Sequence, residues 1–246
     1  VTPLARPAGT RPVRRGAQLL VGLVLYALSI ALLVHAGQGS MPWDVLTQGV
    51  VRRTGLSFGT VTLAISVVVL LCWWPLRQRP GIGTVANVLV IGALVDPALA
   101  VLSPVPTPLP VAVGLAVLGI VLNALATGLY VGARLGPGPR DGLMTGLVAR
   151  TGRSVRLVRT TIEVVVVSAG WLLGGTVGWA TLAYALGVGP LAQVFLRALT
   201  VPAASASTAA VPHAAPVGAG VPSEDPTARD VDPDPDAAGE RVPAAC

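Results

Sequence analysis

The chain has 246 residues, 53% of them hydrophobic and 11% charged, with a net charge of +6. This balance lies outside the range of soluble globular domains, so the chain is read in runs of about 20 apolar residues, the length that crosses ~30 Å of hydrocarbon. The basic excess does not mark a nucleic-acid surface. Every basic residue is Arg, no aromatics interleave with them, and those outside the C-terminal tail flank apolar runs.

Residues 1–16 form a basic, Pro-containing tail with Arg6, Arg11, Arg14 and Arg15. An Arg pair before an apolar run can mark a secretion leader. Here the run is long for a cleaved segment and has a counterpart later in the chain, so it reads as a retained span. Apolar runs at 17–36, 58–76, 82–102, 111–133, 160–176 and 179–199 predict an all-α membrane protein of six transmembrane helices. Barrel strands would alternate instead of running continuously apolar. Arg residues gather before span 1, at 77–79, along 134–159 and at Arg197. Residues 103–110 and the turn after span 5 have none, and the first connection has only Arg52 and Arg53. The positive-inside rule then predicts that both termini are cytoplasmic. Pro104, Pro106, Pro108 and Pro110 make a stiff link between the halves. Residues 200–246 are rich in Ala, Pro and Asp, lack apolar periodicity and are expected to be disordered.

The membrane body, residues 17–199, repeats at an offset of 97. Pro42, Asp44, Leu46 and Gly49 return as Pro139, Asp141, Leu143 and Gly146, and Arg53-Thr54-Gly55 with Ser57 as Arg150-Thr151-Gly152 with Ser154. Trp74 pairs with Trp171, Gly81 with Gly178, Thr84 with Thr181 and Gly92 with Gly189, and a weaker match upstream includes Gly22 with Gly119. Roughly two in five pairs from 42/139 to 96/193 are identical, far above chance. Each copy, 17–96 and 114–193, holds three spans. An odd number obliges the second copy to enter from the opposite side, so the expected fold is two inverted-topology three-helix repeats, a ground plan of secondary transporters.

The repeated connection carries the most signal. Asp44 and Asp141 are read as N-caps of short helices, Gly55 and Gly152 as their C′ stops, and Ser57 and Ser154 as caps of the following spans. Each short helix either rests on the interface or dips inward as a re-entrant element. Repeat symmetry places the two on opposite faces. The body holds four acids: Asp44, Asp96, Asp141 and Glu163. Asp44 and Asp141 are candidate pathway contacts as well as capping residues. Asp96, inside span 3 and paired by the repeat with Gln193, is a third candidate, because acids in spans are expensive and usually face an interior or cavity. Asn87 and Asn123 either contact solute or tie helices together. Glu163 with Arg159 reads as a helical i,i+4 ion pair. Cys72, a small apolar filler within span 2, and Cys246 make no metal site or disulfide framework. No cofactor and no metal are expected. The enzyme motifs His-Glu-x-x-His and Gly-x-Ser-x-Gly are absent, so no catalytic role is expected.

The string from Pro42 to Ser57, the turn Arg77-Gln78-Arg79-Pro80-Gly81-Ile82-Gly83-Thr84 and the stretch from Gly136 to Met144 resemble bacterial YczE/YyaS/YitT-type integral membrane proteins, nearest the YczE branch. The resemblance covers roughly residues 17–199. It implies a polytopic inner-membrane protein and carries no reaction, substrate or site residue. Two functions are expected in order. The first is a small-solute permease with its pathway between the repeats. The second is a non-transporting accessory or regulatory protein that binds a partner, an association that the resemblance links to antibiotic-synthesis enzymes. The partners expected are therefore the lipid bilayer, a small solute and a protein partner or second copy, and no nucleic acid. Polar groups converging at mid-bilayer favour the first function, and a packed apolar centre favours the second.

Overall fold

The computed structural model describes residues 12–103 and 107–199, and all its elements are α-helices. They are α1 (Pro12–Ala36), α2 (Pro42–Thr54), α3 (Phe58–Trp73), α4 (Ile82–Leu102), α5 (Leu109–Gly132), α6 (Pro139–Thr151), α7 (Val155–Leu172) and α8 (Trp179–Leu199). The 97-residue offset recurs in the elements. It separates both ends of α2 from those of α6, and both ends of α4 from those of α8. Local signals set these boundaries. Gly55 and Gly152 stop α2 and α6 in the left-handed conformation, at φ 72 and 65. Such a conformation favours a residue without Cβ. The Ser57 and Ser154 side chains accept from the third helical N–H of α3 and α7.

Four boundaries differ from the sequence reading by three residues or more, one of them the end of α7, at Leu172 where 176 was expected. Helix α1 begins at Pro12, so part of the expected basic tail is helical; Pro is preferred at the first helical position. Helix α7 begins at Val155 and carries Arg156 and Arg159 in its first two turns, charges that hid this segment from an apolar-run reading. Helix α3 ends at Trp73, sooner than expected, in a turn where Arg77 takes φ 54. Four helices, α1, α4, α5 and α8, are long and apolar enough to cross a membrane, and α2 with α3 passes the same test as one pair bent by 117°. The expected tail at 200–246, with Cys246, lies outside the described residues, as do Pro104 and Pro106.

The core is the pairing of α1 with α5. Gly22 and Gly119, repeat equivalents, bring the two helices together: a Cβ at Gly22 would lie 2.8 Å from the Tyr130 N atom, and one at Gly119 would lie 2.8 Å from Leu33. Helix α4 lies on α1 and α8 on α5; α2 lies on α7 and α6 on α3. Each of these pairings maps onto the other under the offset. Each short helix is thus packed into the opposite half. Hydrogen bonds follow the same exchange: Gly83 N–H donates to Leu135 O at 2.9 Å, and Ala180 N–H donates to Gln38 O at 3.1 Å. Large apolar side chains such as Leu20, Val68, Leu71 and Leu186 point outward. An apolar exterior on this scale suits lipid, not water.

Candidate functional site

Helices α2 and α6 each run to an exposed last turn, from a first turn that is buried in α2 and half-buried in α6. Pro42 and Pro139 occupy their first positions, where a preset φ and a missing N–H cost nothing. This corrects the capping assignment. The N-cap residues are Met41 and Gly138, neither side chain caps, and Asp44 and Asp141 stand at the third helical position. Negative charge is still favoured there by the helix dipole. The first turns that carry the two aspartates do not lie far apart. The two first turns converge, because each short helix packs into the other half.

Arg140 lies at the meeting point. Its guanidinium is 3.7 Å from Asp44 Oδ1 and 5.2 Å from the centre of the Trp43 ring. Asp44 is fully buried, and its only charged partner among the described residues is Arg140. Asp141 is held differently, by the Tyr130 hydroxyl donating to Oδ2 at 2.7 Å. The difference follows from the repeat. Positions 43 and 140 are equivalents, so the arginine that pairs with Asp44 has an uncharged tryptophan as its counterpart, and Trp43 and Asp141 line one cavity. Tyr130 in turn packs edge-on against Tyr26, with ring centres 6.0 Å apart.

Three cavities adjoin here, and Tyr26 and Asp141 line all of them. One of about 100 Å³ is walled by Trp43, Arg140, Asp141, Arg159, Glu163 and Tyr184. A smaller one, about 50 Å³, is walled by Thr62, Ser66, Asn87, Tyr130 and Asp141. These two are repeat counterparts: Thr62, Ser66 and Asn87 stand where the second half has Arg159, Glu163 and Tyr184. A third, about 240 Å³, extends past Thr127, Tyr184 and Gly189 to Gln193. The expected Arg159–Glu163 pair forms at 2.9 Å, at the edge of the first cavity.

The other sequence candidates divide. Asn123 is fully buried and ties three helices, donating to Ser29 Oγ at 2.9 Å and accepting from the Tyr184 hydroxyl at 2.9 Å. Asn87 lines the smaller cavity. Asp96 and Gln193, equivalents by repeat, are far from alike. Asp96 Oδ1 accepts from the Gly59 N–H at 2.8 Å, anchoring the start of α3 on α4, whereas Gln193 lines the third cavity. The structure gives the two equivalents different surroundings, because the two seams differ. Helix α3 packs along α4, with Gly59 against Gly92 O; α7 and α8 barely touch, and a Cβ on Gly189 would meet nothing within 4 Å. A groove of about 500 Å³ lies between α7 and α8.

Sequence reasoning missed Tyr26, Tyr130, Tyr184, Trp43, Arg140 and Trp73. A signal existed for two of them: the offset pairs Tyr26 with Asn123 and Asn87 with Tyr184, so each half brings one Tyr and one Asn in exchanged order. Trp73 is buried and donates from Nε1 to Pro139 O at 3.0 Å, whereas the repeated Trp74 and Trp171 are exposed. Cys72, expected as a filler, is exposed on α3.

A single family model, described as a family of unknown function (DUF6198), matches residues 13–197, which include every helix of this arrangement almost from end to end. The chain belongs to the DUF6198 family. It is similar to an uncharacterized protein of Haemophilus influenzae, 40% identical over 182 residues, covering 72% of this chain and 83% of the relative. It is also similar to the uncharacterized membrane protein YczE of Bacillus subtilis, at 30% identity over 67% of this chain and 77% of that protein. YyaS of the same organism is 26% identical over 72% and 89%. No solved structure matches. The resemblance drawn from the Pro42–Ser57 string is therefore correct, and with its apolar helices this DUF6198 chain is an integral membrane protein.

Proposed function

We propose that the protein is a small-solute permease of the bacterial inner membrane, with both termini cytoplasmic. In this reading it has six spans arranged as two inverted three-helix repeats, and α2 and α6 are re-entrant. The observation that carries the reading is the meeting of the first turns of α2 and α6, from opposite halves, on cavities lined by Asp141, Arg140 and three tyrosines. Short helices that point their N-termini at a polar site between two repeats are how such transporters hold solute. Non-helical backbone at membrane depth is tolerated where it lines a cavity. An accessory protein would have a packed apolar centre, which is not what the tyrosines and charges line. The halves also support alternating access, since the α3–α4 seam is sealed and the α7–α8 seam is not. By the Arg distribution the third cavity faces the cytoplasm.

Solute profiling of cells with and without the protein, and with Gly189→Phe, tests this. Gly189 lines the third cavity and a Cβ there would meet nothing within 4 Å, so Phe at this position is expected to fill the cavity. The expected result is a solute pool that changes with the intact protein and not with the variant. Identical pools in all three strains would refute the permease.

A further inference from the structure

We infer that the central site takes a small organic cation carrying an ammonium group, with Asp141 as its counter-ion. This rests on the permease reading for its setting and on separate observations for its chemistry.

Charge is the first. The two guanidinium groups at the site already have carboxylate partners: Arg140 has Asp44 at 3.7 Å, and Arg159 has Glu163 at 2.9 Å. Asp141 receives only a neutral hydroxyl, from Tyr130 at 2.7 Å. The α6 N-terminus supplies about half a compensating charge. The rest faces all three cavities. An anion placed here would approach a carboxylate that no guanidinium contacts directly.

The walls are the second. The chain contains three tyrosines, and all three line the cavities, with Trp43 beside them. Aromatic faces carry negative quadrupole potential and attract ammonium groups, the more strongly when water is excluded. In a chain with so few aromatics, their concentration around one carboxylate is selective.

The third observation is Thr62. Its hydroxyl is buried, has no hydrogen-bond partner and lines the smaller cavity together with Asp141. A buried hydroxyl without a partner is costly, and a ligand that supplies the missing hydrogen bond recovers that cost. It can accept from an N–H, and an ammonium bound at Asp141 has N–H groups to give. A quaternary ammonium could not use it, so the preference is for primary and secondary amines. The 50–100 Å³ of the two inner cavities suits a few heavy atoms.

The test uses the full-length protein. Titration calorimetry in detergent would measure methylammonium chloride binding, with sodium chloride and sodium acetate as matched probes, and radiolabelled methylammonium flux would be followed in liposomes. Saturable methylammonium binding that weakens at least tenfold in Asp141→Asn, and three- to tenfold in Tyr130→Phe, is the expected result. Thermal melts of both variants report folding, and Tyr130→Phe keeps the ring and the carboxylate if Asp141→Asn unfolds. Absence of methylammonium binding, equal binding of sodium, or binding unmoved by either variant overturns the inference. Binding without flux would refute the permease and leave the cation site standing. Solute-pool changes in cells without methylammonium binding would do the reverse.

Discussion

Trp43 and Arg140 occupy the same position in the two halves, 97 residues apart, and they stack on each other with the guanidinium 5.2 Å from the ring centre. Residues at equivalent positions that touch must lie where the halves meet. Their contact therefore marks the centre of the molecule, and their difference in character decides how the two flanking carboxylates are held.

Asp44 should be coupled to Arg140 and not merely to its own helix. At the third helical position the helix dipole favours Asp over Asn by about 0.3–1 kcal/mol, so a purely local role predicts only that small loss in Asp44→Asn, unchanged by a substitution at Arg140. The ion pair predicts that Asp44→Asn destabilises the fold and that adding Arg140→Gln restores part of the loss. Coupling of about 1–3 kcal/mol is expected. Thermal melts of the two single variants and the double variant in detergent would measure it, and additive losses would exclude the pair.

The Trp73–Gly142 contact should be exchangeable for its counterpart. Trp73 fills the space that a Cβ on Gly142 would need, and in the other half Gly170 makes room for the backbone of Val45 and Leu46. Positions 73 and 170 are equivalents, as are 45 and 142. Gly142→Val alone should cost about 1–3 kcal/mol by overpacking, and Trp73→Gly alone about 3–5 kcal/mol by leaving a cavity. The double variant copies the Val45–Gly170 arrangement and should melt above the sum of the two losses. Its melting at or below that sum would show that the two contacts are not interchangeable.

Asp96 should need its oxygen and not its charge. Its Oδ1 accepts from the Gly59 N–H, a task Asn performs equally well. Asp96→Asn should melt within about 0.5 kcal/mol of the parent protein, as for a change that keeps the interaction. Asp96→Leu should lose about 1–3 kcal/mol, the cost of leaving a partly buried donor without its acceptor. Equal losses in both would return Asp96 to the set of functional carboxylates.

Cysteine labelling checks the proposed orientation. Single cysteines at Leu56 and Val177, in a background lacking Cys72 and Cys246, should react with an impermeant maleimide added outside intact cells. Cysteines at Arg79 and Arg153 should react only after permeabilisation. Leu56 and Arg153 are exposed beyond the ends of α2 and α6, so silence at these sites reports side and not burial. The reverse pattern would invert the topology.

Much of this architecture is legible in the sequence because it rests on local chemistry. Gly55, Gly152, Ser57 and Ser154 terminate and cap helices within a few residues of themselves, and the repeat copies those signals. Gly22 and Gly119 stood out for the same reason. Asp44 and Asp141 were singled out correctly as paired positions, yet their surroundings were not legible. These depend on α2 packing into the second half and α6 into the first, an exchange that no window of sequence records. Tyr130 was missed because its equivalent is Leu33, so the repeat gives it no weight. Asp96 drew attention as a carboxylate in an apolar run, but a backbone N–H on a neighbouring helix accounts for it.

The seams carry one more consequence. Where α3 has Gly59, allowing it to lie against Gly92 on α4, α7 has Arg156, and where α4 has Asp96 to hold the start of α3, α8 has Gln193. Closing α7 onto α8 to the same depth would press an arginine side chain into a gap sized for a hydrogen atom. The two halves thus resemble a lock with one well-cut key and one blunt one. In the proposed permease one shut position would be reached cheaply and the other only in part, so a rocking motion between the halves would have a resting side written into its side chains.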